Sequence, residues 1–72
     1  MSINKIIGAN IRKHRKLSKL SQANIAARIE ITARQLRYYE SGDSAITVAT
    51  LWELSTIFNV SIRSFFNCSP RK

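Results

Sequence analysis

A single cysteine (Cys68), a single histidine (His14) and a single proline (Pro70) leave this 72-residue sequence with little of the chemistry that most enzymes and metalloproteins use. One cysteine closes no intrachain disulfide, and in the polar C-terminal stretch it reads as an incidental thiol of a reducing compartment. His14 and Cys68 stand too far apart to make a zinc-ligand spacing. Acids are scarce too: Glu30, Glu40, Asp43 and Glu53 are the only four, scattered with no paired-carboxylate pattern. Neither glycine, Gly8 or Gly42, lies in a phosphate-cradling motif. No apolar run approaches the ~18 residues of a membrane span. At the N-terminus, Ile3, Ile6 and Ile7 are interrupted by Asn4, Lys5 and Gly8, which is not a secretory leader. These absences argue against catalysis and lead to the expectation of a cytoplasmic protein with no metal, cofactor or small-molecule ligand. His14, inside a basic helix, is expected to be packed or solvent-facing rather than a general base.

Basic residues are what the sequence has in excess. Twelve Lys and Arg against four acids give a net charge of +8, which calls for a polyanionic partner. Lys5, Arg12, Lys13, Arg15, Lys16 and Lys19 fall within the first 20 positions, where there is no acid. A basic amphipathic helix can lie on an anionic membrane. Here, however, Ile3, Ile7 and Ile11 form a narrow stripe without an aromatic residue, better sized to dock on other helices. Seventy-two residues make one small domain, near the lower limit for a core without disulfide or metal staples.

The most specific stretch is 21–42, SQANIAARIEITARQLRYYESG. Ser21 is placed to cap a helix in which Ile25, Ala26 and Ile29 fall on one face. Thr32 is placed to cap a second, with Gln35 three residues on at capping-box spacing. Only Glu30 and Ile31 separate the last apolar residue of the first helix from the cap of the second, so the pair should cross steeply. In the second helix Leu36, Tyr39 and Glu40 share one face. Ala33, Arg34, Arg37 and Tyr38 occupy the opposite stripe, with no acid among them, and suit a DNA major groove: an arginine fork on guanine, an alanine methyl on thymine, a tyrosine hydroxyl on base or phosphate. The plain alternative is a solvated basic helix face.

The remaining segments complete an all-α domain of five helices, without repeat, low-complexity segment or linker. Helix one runs from Ile3 to about Leu17, followed by a connector at 18–20. Gly42 is placed to end helix three in the left-handed conformation, with a loop over 43–46. Thr47 caps a fourth helix lined by Leu51, Leu54, Ser55 and Phe58, with Trp52 at its edge and Asn59 as its stop. Ser61 opens a last short helix carrying Ile62, Phe65 and Phe66. The domain is expected to span 1–72, ordered over about 3–67, with a tail at 68–72 that frays from Pro70 to Lys72.

From Ile7 to Phe66 the chain resembles the DNA-binding domain of the Xre/Cro family of phage-type repressors. The matching residues are IRKHR in helix one, SQxxIA opening helix two, YESG closing helix three, and TLWELSTIFNVSIRSFF over helices four and five. The resemblance implies a five-helix fold with the helix-turn-helix at helices two and three. It implies that Ala33, Arg34, Arg37 and Tyr38 face base edges and that Gln22 bonds a backbone phosphate, with Ser21, Thr32 and Ser41 expected beside it as phosphate contacts. It also implies a buried ion pair between Arg15 and Glu40. The sequence departs from the family at Glu30, where a glycine is usual, at Tyr39 in a position that is usually aliphatic, and at Asp43 after Gly42.

The expected function is a small, sequence-specific transcriptional regulator, a repressor or a controller of its own operon, bacterial or phage-encoded and nucleoid-associated. It would bind a palindromic DNA operator as a homodimer. With no appended oligomerisation domain expected, the dimer is expected to be built from the helical domain itself, through Ile62, Phe65 and Phe66, of which one or two must cap the core. The alternatives are an antitoxin that binds both DNA and a toxin protein, a pure protein-interaction module, which leaves the charge unexplained, and an RNA binder, for which Tyr38 is the lone stacking candidate.

Overall fold

The structure, a computed structural model, describes residues 2–67. Among these it has four α-helices and no strand: α1 (Ile3–Leu17), α2 (Gln22–Arg28), α3 (Ala33–Ser41) and α4 (Val48–Phe58). The expected fifth helix is instead a single 3-10 turn, Ile62–Phe66. Ser61 makes no side-chain cap bond, and its carbonyl takes the Ser64 amide three residues on. Asn10 of α1 donates to the carbonyls of Phe65 and Asn67, at 2.8 and 2.9 Å, and holds the end of the turn against α1. Three residues per turn puts Ile62 and Phe65 on one side, Phe65 fully buried and Ile62 half-buried against the core, and leaves Phe66 45% exposed.

Every α-helix starts with a hydroxyl cap. Ser2, Ser21, Thr32 and Thr47 each accept the amide three residues on, satisfying a donor that the helix leaves unpaired, at roughly 1 kcal/mol each. At Thr32 only this half of the capping box forms among the described residues. The helix ends are equally regular. A left-handed residue stands at Lys19 (φ 58°), Glu30 (62°), Gly42 (82°) and Asn59 (57°). After each, an amide reaches back five residues: Leu20 to Arg15, Ile31 to Ala26, Asp43 to Tyr38 and Val60 to Ser55. This is the Schellman arrangement, used four times with glycine in only one of them.

The core consists of Ile7, Ile11, Ile25, Ala26, Ile29, Leu36, Leu51, Leu54, Phe58 and Phe65. Ile3, the first member of the expected N-terminal stripe, lies outside it at 52% exposure. The Leu51, Leu54, Ser55 and Phe58 face of α4 is buried as expected, and Trp52 projects outward at 63% exposure. Tyr39 is half-buried and packs against the core from its edge. α1 packs most extensively on α3 and on the 3-10 turn, and α2 on α3. Gly8 makes the α1–α3 contact possible. A Cβ there would come 2.6 Å from the Glu40 carbonyl oxygen and closer still to that of Tyr39, so the two helices meet backbone to backbone. Phe65 is fully buried, which corrects its assignment to a dimer surface: it fills the space between α1 and α4. Cys68 and the expected frayed end at 70–72 lie outside the described residues.

Candidate nucleic-acid interface

The link between α2 and α3 runs through Ile29, Glu30, Ile31 and Thr32, with Ile29 buried and Glu30 left-handed. Glu30, where the family usually has glycine, takes the left-handed conformation that favours glycine. It costs on the order of 1 kcal/mol, offset locally by burial of Ile29 and by the Ile31 amide bond to Ala26. The turn lets α2 pack directly on α3. Leu36 and Glu40 of α3 are buried, and Ala33, Arg34, Arg37 and Tyr38 are all exposed.

Arg15 and Glu40 form the ion pair that the resemblance implied. Arg15 Nε donates to Glu40 Oε2 at 2.7 Å and Nη2 to Oε1 at 3.1 Å, a two-pronged contact with side chains 14% and 4% exposed. Arg15 Nη1 also donates to the Leu20 carbonyl, at 3.2 Å, which ties down the end of α1. Gln22 joins this network: its Nε2 donates to Glu40 Oε1 at 3.1 Å. One carboxylate thus holds α1, the start of α2 and α3 together. Gln22 is half-buried with one amide proton committed inward, and its second N–H is left for an outside acceptor.

The other expected phosphate contacts are exposed but not equivalent. Ser21 and Thr32 use an oxygen lone pair as cap acceptors, which leaves the hydroxyl proton to donate. Ser41 has its one proton shared between the Tyr38 carbonyl, at 3.1 Å, and Asp43 Oδ2, at 2.8 Å. His14 packs its ring against Phe58 and Phe65, with centroids 5.9 and 5.7 Å away. Burial, then the charge of Lys13, lower its pKa below the ordinary value. Among the described residues no three His, Cys, Asp or Glu side chains gather to hold a metal ion, and no helix is long and apolar enough to cross a membrane.

Sequence reasoning missed three participants. Asn10 sits between Ile7 and Ile11 on the buried side of α1, and its polar position in an apolar stripe was the available signal. Gly8 left no signal beyond being a helix-interior glycine. Arg12 was counted only as charge, yet it lines a recess with Arg15, Gln22, Arg37, Glu40 and Ser41.

Residues 11–65 match the family described as Helix-turn-helix, and the chain belongs to that family. An "Uncharacterized HTH-type transcriptional regulator" of Sinorhizobium medicae (strain WSM419) is 31% identical over 64 residues, 89% of this chain and 46% of the relative. A Rhizobium meliloti (strain 1021) protein of the same description gives the same figures. The chain therefore spans about half the length of the curated relatives it matches. Among solved structures, the restriction-modification controller protein C.AhdI from Aeromonas hydrophila superposes with a TM-score of 0.81 at 21% identity, over 88% of this chain and 96% of that one. The BldD DNA-binding domain of S. venezulae superposes with a TM-score of 0.78 at 28% identity, over 90% and 97%.

Proposed function

We propose that this chain binds double-stranded DNA sequence-specifically as a transcriptional regulator, with α2, its turn and α3 as the helix-turn-helix and α3 in the major groove. The observation that carries the reading is the two-sidedness of α3. Its inner face is locked to α1 through Leu36, Glu40 and the Gly8 approach, and its outer face presents Ala33, Arg34, Arg37 and Tyr38 to solvent. A rigid helix with exposed donors loses little freedom on docking. Family membership and the regulator relatives support the same reading. Arg34 offers a bidentate fork to guanine, Ala33 a methyl to thymine and Tyr38 a hydroxyl. Ser21, Gln22, Thr32 and Ser41 lie where backbone phosphates would pass.

The domain measures 32 × 23 × 20 Å, enough for one major-groove face. Two half-sites about 34 Å apart need two copies, so the proposal extends to a homodimer on a palindromic operator, acting as a repressor or controller. Its surface would use Phe66 and Ile62 rather than Phe65. Trp52 shares a surface recess with Val60 and Ile62, which enlarges the apolar patch. Selecting bound sites from a random duplex pool tests the reading. A palindromic consensus, with affinity falling steeply with salt, is the expected result. Equal competition by RNA of the same length and charge would refute it. Sedimentation of the wild type and of Phe66→Asp at micromolar concentration tests the dimer, which fails if the wild type stays monomeric both free and on its selected site.

A further inference from the structure

The recess between α1, α2 and α3 gathers Arg12, Gln22, Arg37 and Ser41 around the Arg15–Glu40 pair. We infer that it seats one phosphodiester of the DNA backbone, gripped by Arg12 and Arg37, so that Arg37 leaves the base-reading row and readout falls to Ala33, Arg34 and Tyr38. This assignment rests on the DNA-binding function proposed above.

The geometry of α3 separates the two arginines. At about 100° per residue, Arg34 and Tyr38 each lie about 160° around the helix from the buried Leu36, whereas Arg37 lies only about 100° from Leu36 and about 60° from the buried Glu40. Arg37 therefore stands at the edge of α3 next to α1 and the start of α2. The helix preceding a recognition helix crosses the DNA backbone, and Arg37 lines a recess with Gln22 at the start of that preceding helix.

Charge points the same way. Glu40 has both carboxylate oxygens engaged, by Arg15 and Gln22, so the Arg15–Glu40 pair is internally neutralised. What remains is the charge of Arg12 and Arg37, both exposed and neither in an ion pair among the described residues. Two guanidinium groups opening on one recess repel each other and carry donors only, so the occupant they favour is an anion with several acceptor oxygens. A phosphodiester presents two such oxygens to a planar fork, and the spare N–H of Gln22 adds a neutral donor on a third side.

The experiment compares Arg12→Ala, Arg37→Ala and Arg34→Ala on a pool-selected duplex and on a random duplex of equal length, over a range of salt. Arg12→Ala and Arg37→Ala should each lose affinity by the same factor on both duplexes, and the double variant should lower the log–log salt slope by about 0.9, the contribution of one phosphate. Arg34→Ala should lose about 5- to 150-fold more on the selected duplex than on the random one. Both recess arginines are exposed, so unchanged melting curves verify folding. An Arg37→Ala loss confined to the selected duplex overturns the assignment while leaving DNA binding intact. If the wild type binds no duplex, the DNA reading itself fails, and titration with inorganic phosphate decides the recess alone. Joint movement of the Arg12 and Arg37 Nε–H resonances supports an anion seat, and no movement overturns it.

Discussion

Arg15→Met isolates the network that joins α1, α2 and α3. The substitution keeps most of the side chain's bulk and removes three donated bonds, two to Glu40 and one to the Leu20 carbonyl. What it leaves behind sets the magnitude. Glu40, with its side chain 4% exposed, would retain only the Gln22 amide as a side-chain donor and would hold an uncompensated charge. Breaking a buried pair from one side costs about 3–5 kcal/mol. The surviving Gln22 bond and the partial exposure of Arg15 place this case near the lower end. In a domain of this size about 3 kcal/mol lowers Tm by at least about 12 °C. The assay is thermal unfolding without DNA, followed by circular dichroism. Glu40→Gln should be milder, because a stranded Arg15, at 14% exposure, is nearer to water. The double variant Arg15→Met with Glu40→Leu should recover part of the loss by removing the charge altogether. An Arg15→Met protein that melts like the wild type and loses only DNA affinity would refute this reasoning and make Arg15 a contact residue.

Gly8→Ala should destabilise by about 3 kcal/mol or more despite the ~1 kcal/mol gain in helix propensity, because the methyl meets backbone carbonyls that cannot rotate away; denaturant unfolding measures it. His14 has a folded-state pKa below its unfolded one, so the unfolded chain binds the proton more readily. Stability should be full above pH ~6.5 and decline as pH falls from there through the lowered folded value, and His14→Gln should flatten that part of the profile. Asp43→Asn should tighten binding to random duplex about two- to fivefold at low salt, since the carboxylate beside Ser41 opposes an approaching phosphate. Unchanged affinity would place Asp43 away from the DNA.

Local rules made much of this fold legible. Ser21, Thr32 and Thr47 cap where a hydroxyl precedes an apolar period, and Gly42 and Asn59 end helices because those residue types tolerate the left-handed region. The buried faces of α2 and α4 follow from spacing alone. Lys19 carried no such signal: its left-handed φ comes from the demand to close α1 and reach Ser21, and many residue types would serve. The clamp that holds the last element on α1 was hidden because Asn10 lies more than 50 residues away in sequence. For the candidate site, the exposed row on α3 was readable as a helical stripe, and the Arg15–Glu40 pair came through family resemblance. Whether an arginine points to bases or to backbone depends on which helix packs beside it, so Arg12 and Arg37 fell outside what a single helix's pattern can show.

Asn10 has a bearing on how the domain assembles. Its amide donates both protons to carbonyls 55 and 57 residues further along. Contacts of such separation form late, since closing the longest loop carries the largest entropy and local helices gain nothing from waiting. The clamp between α1 and the final turn should therefore be absent from the folding transition state, and Asn10→Ala should unfold faster while refolding at close to the wild-type rate. In the native state the same clamp ties the first helix to the last turn, so the amides of α1 and of the final turn should exchange with solvent as one cooperative unit rather than fraying independently.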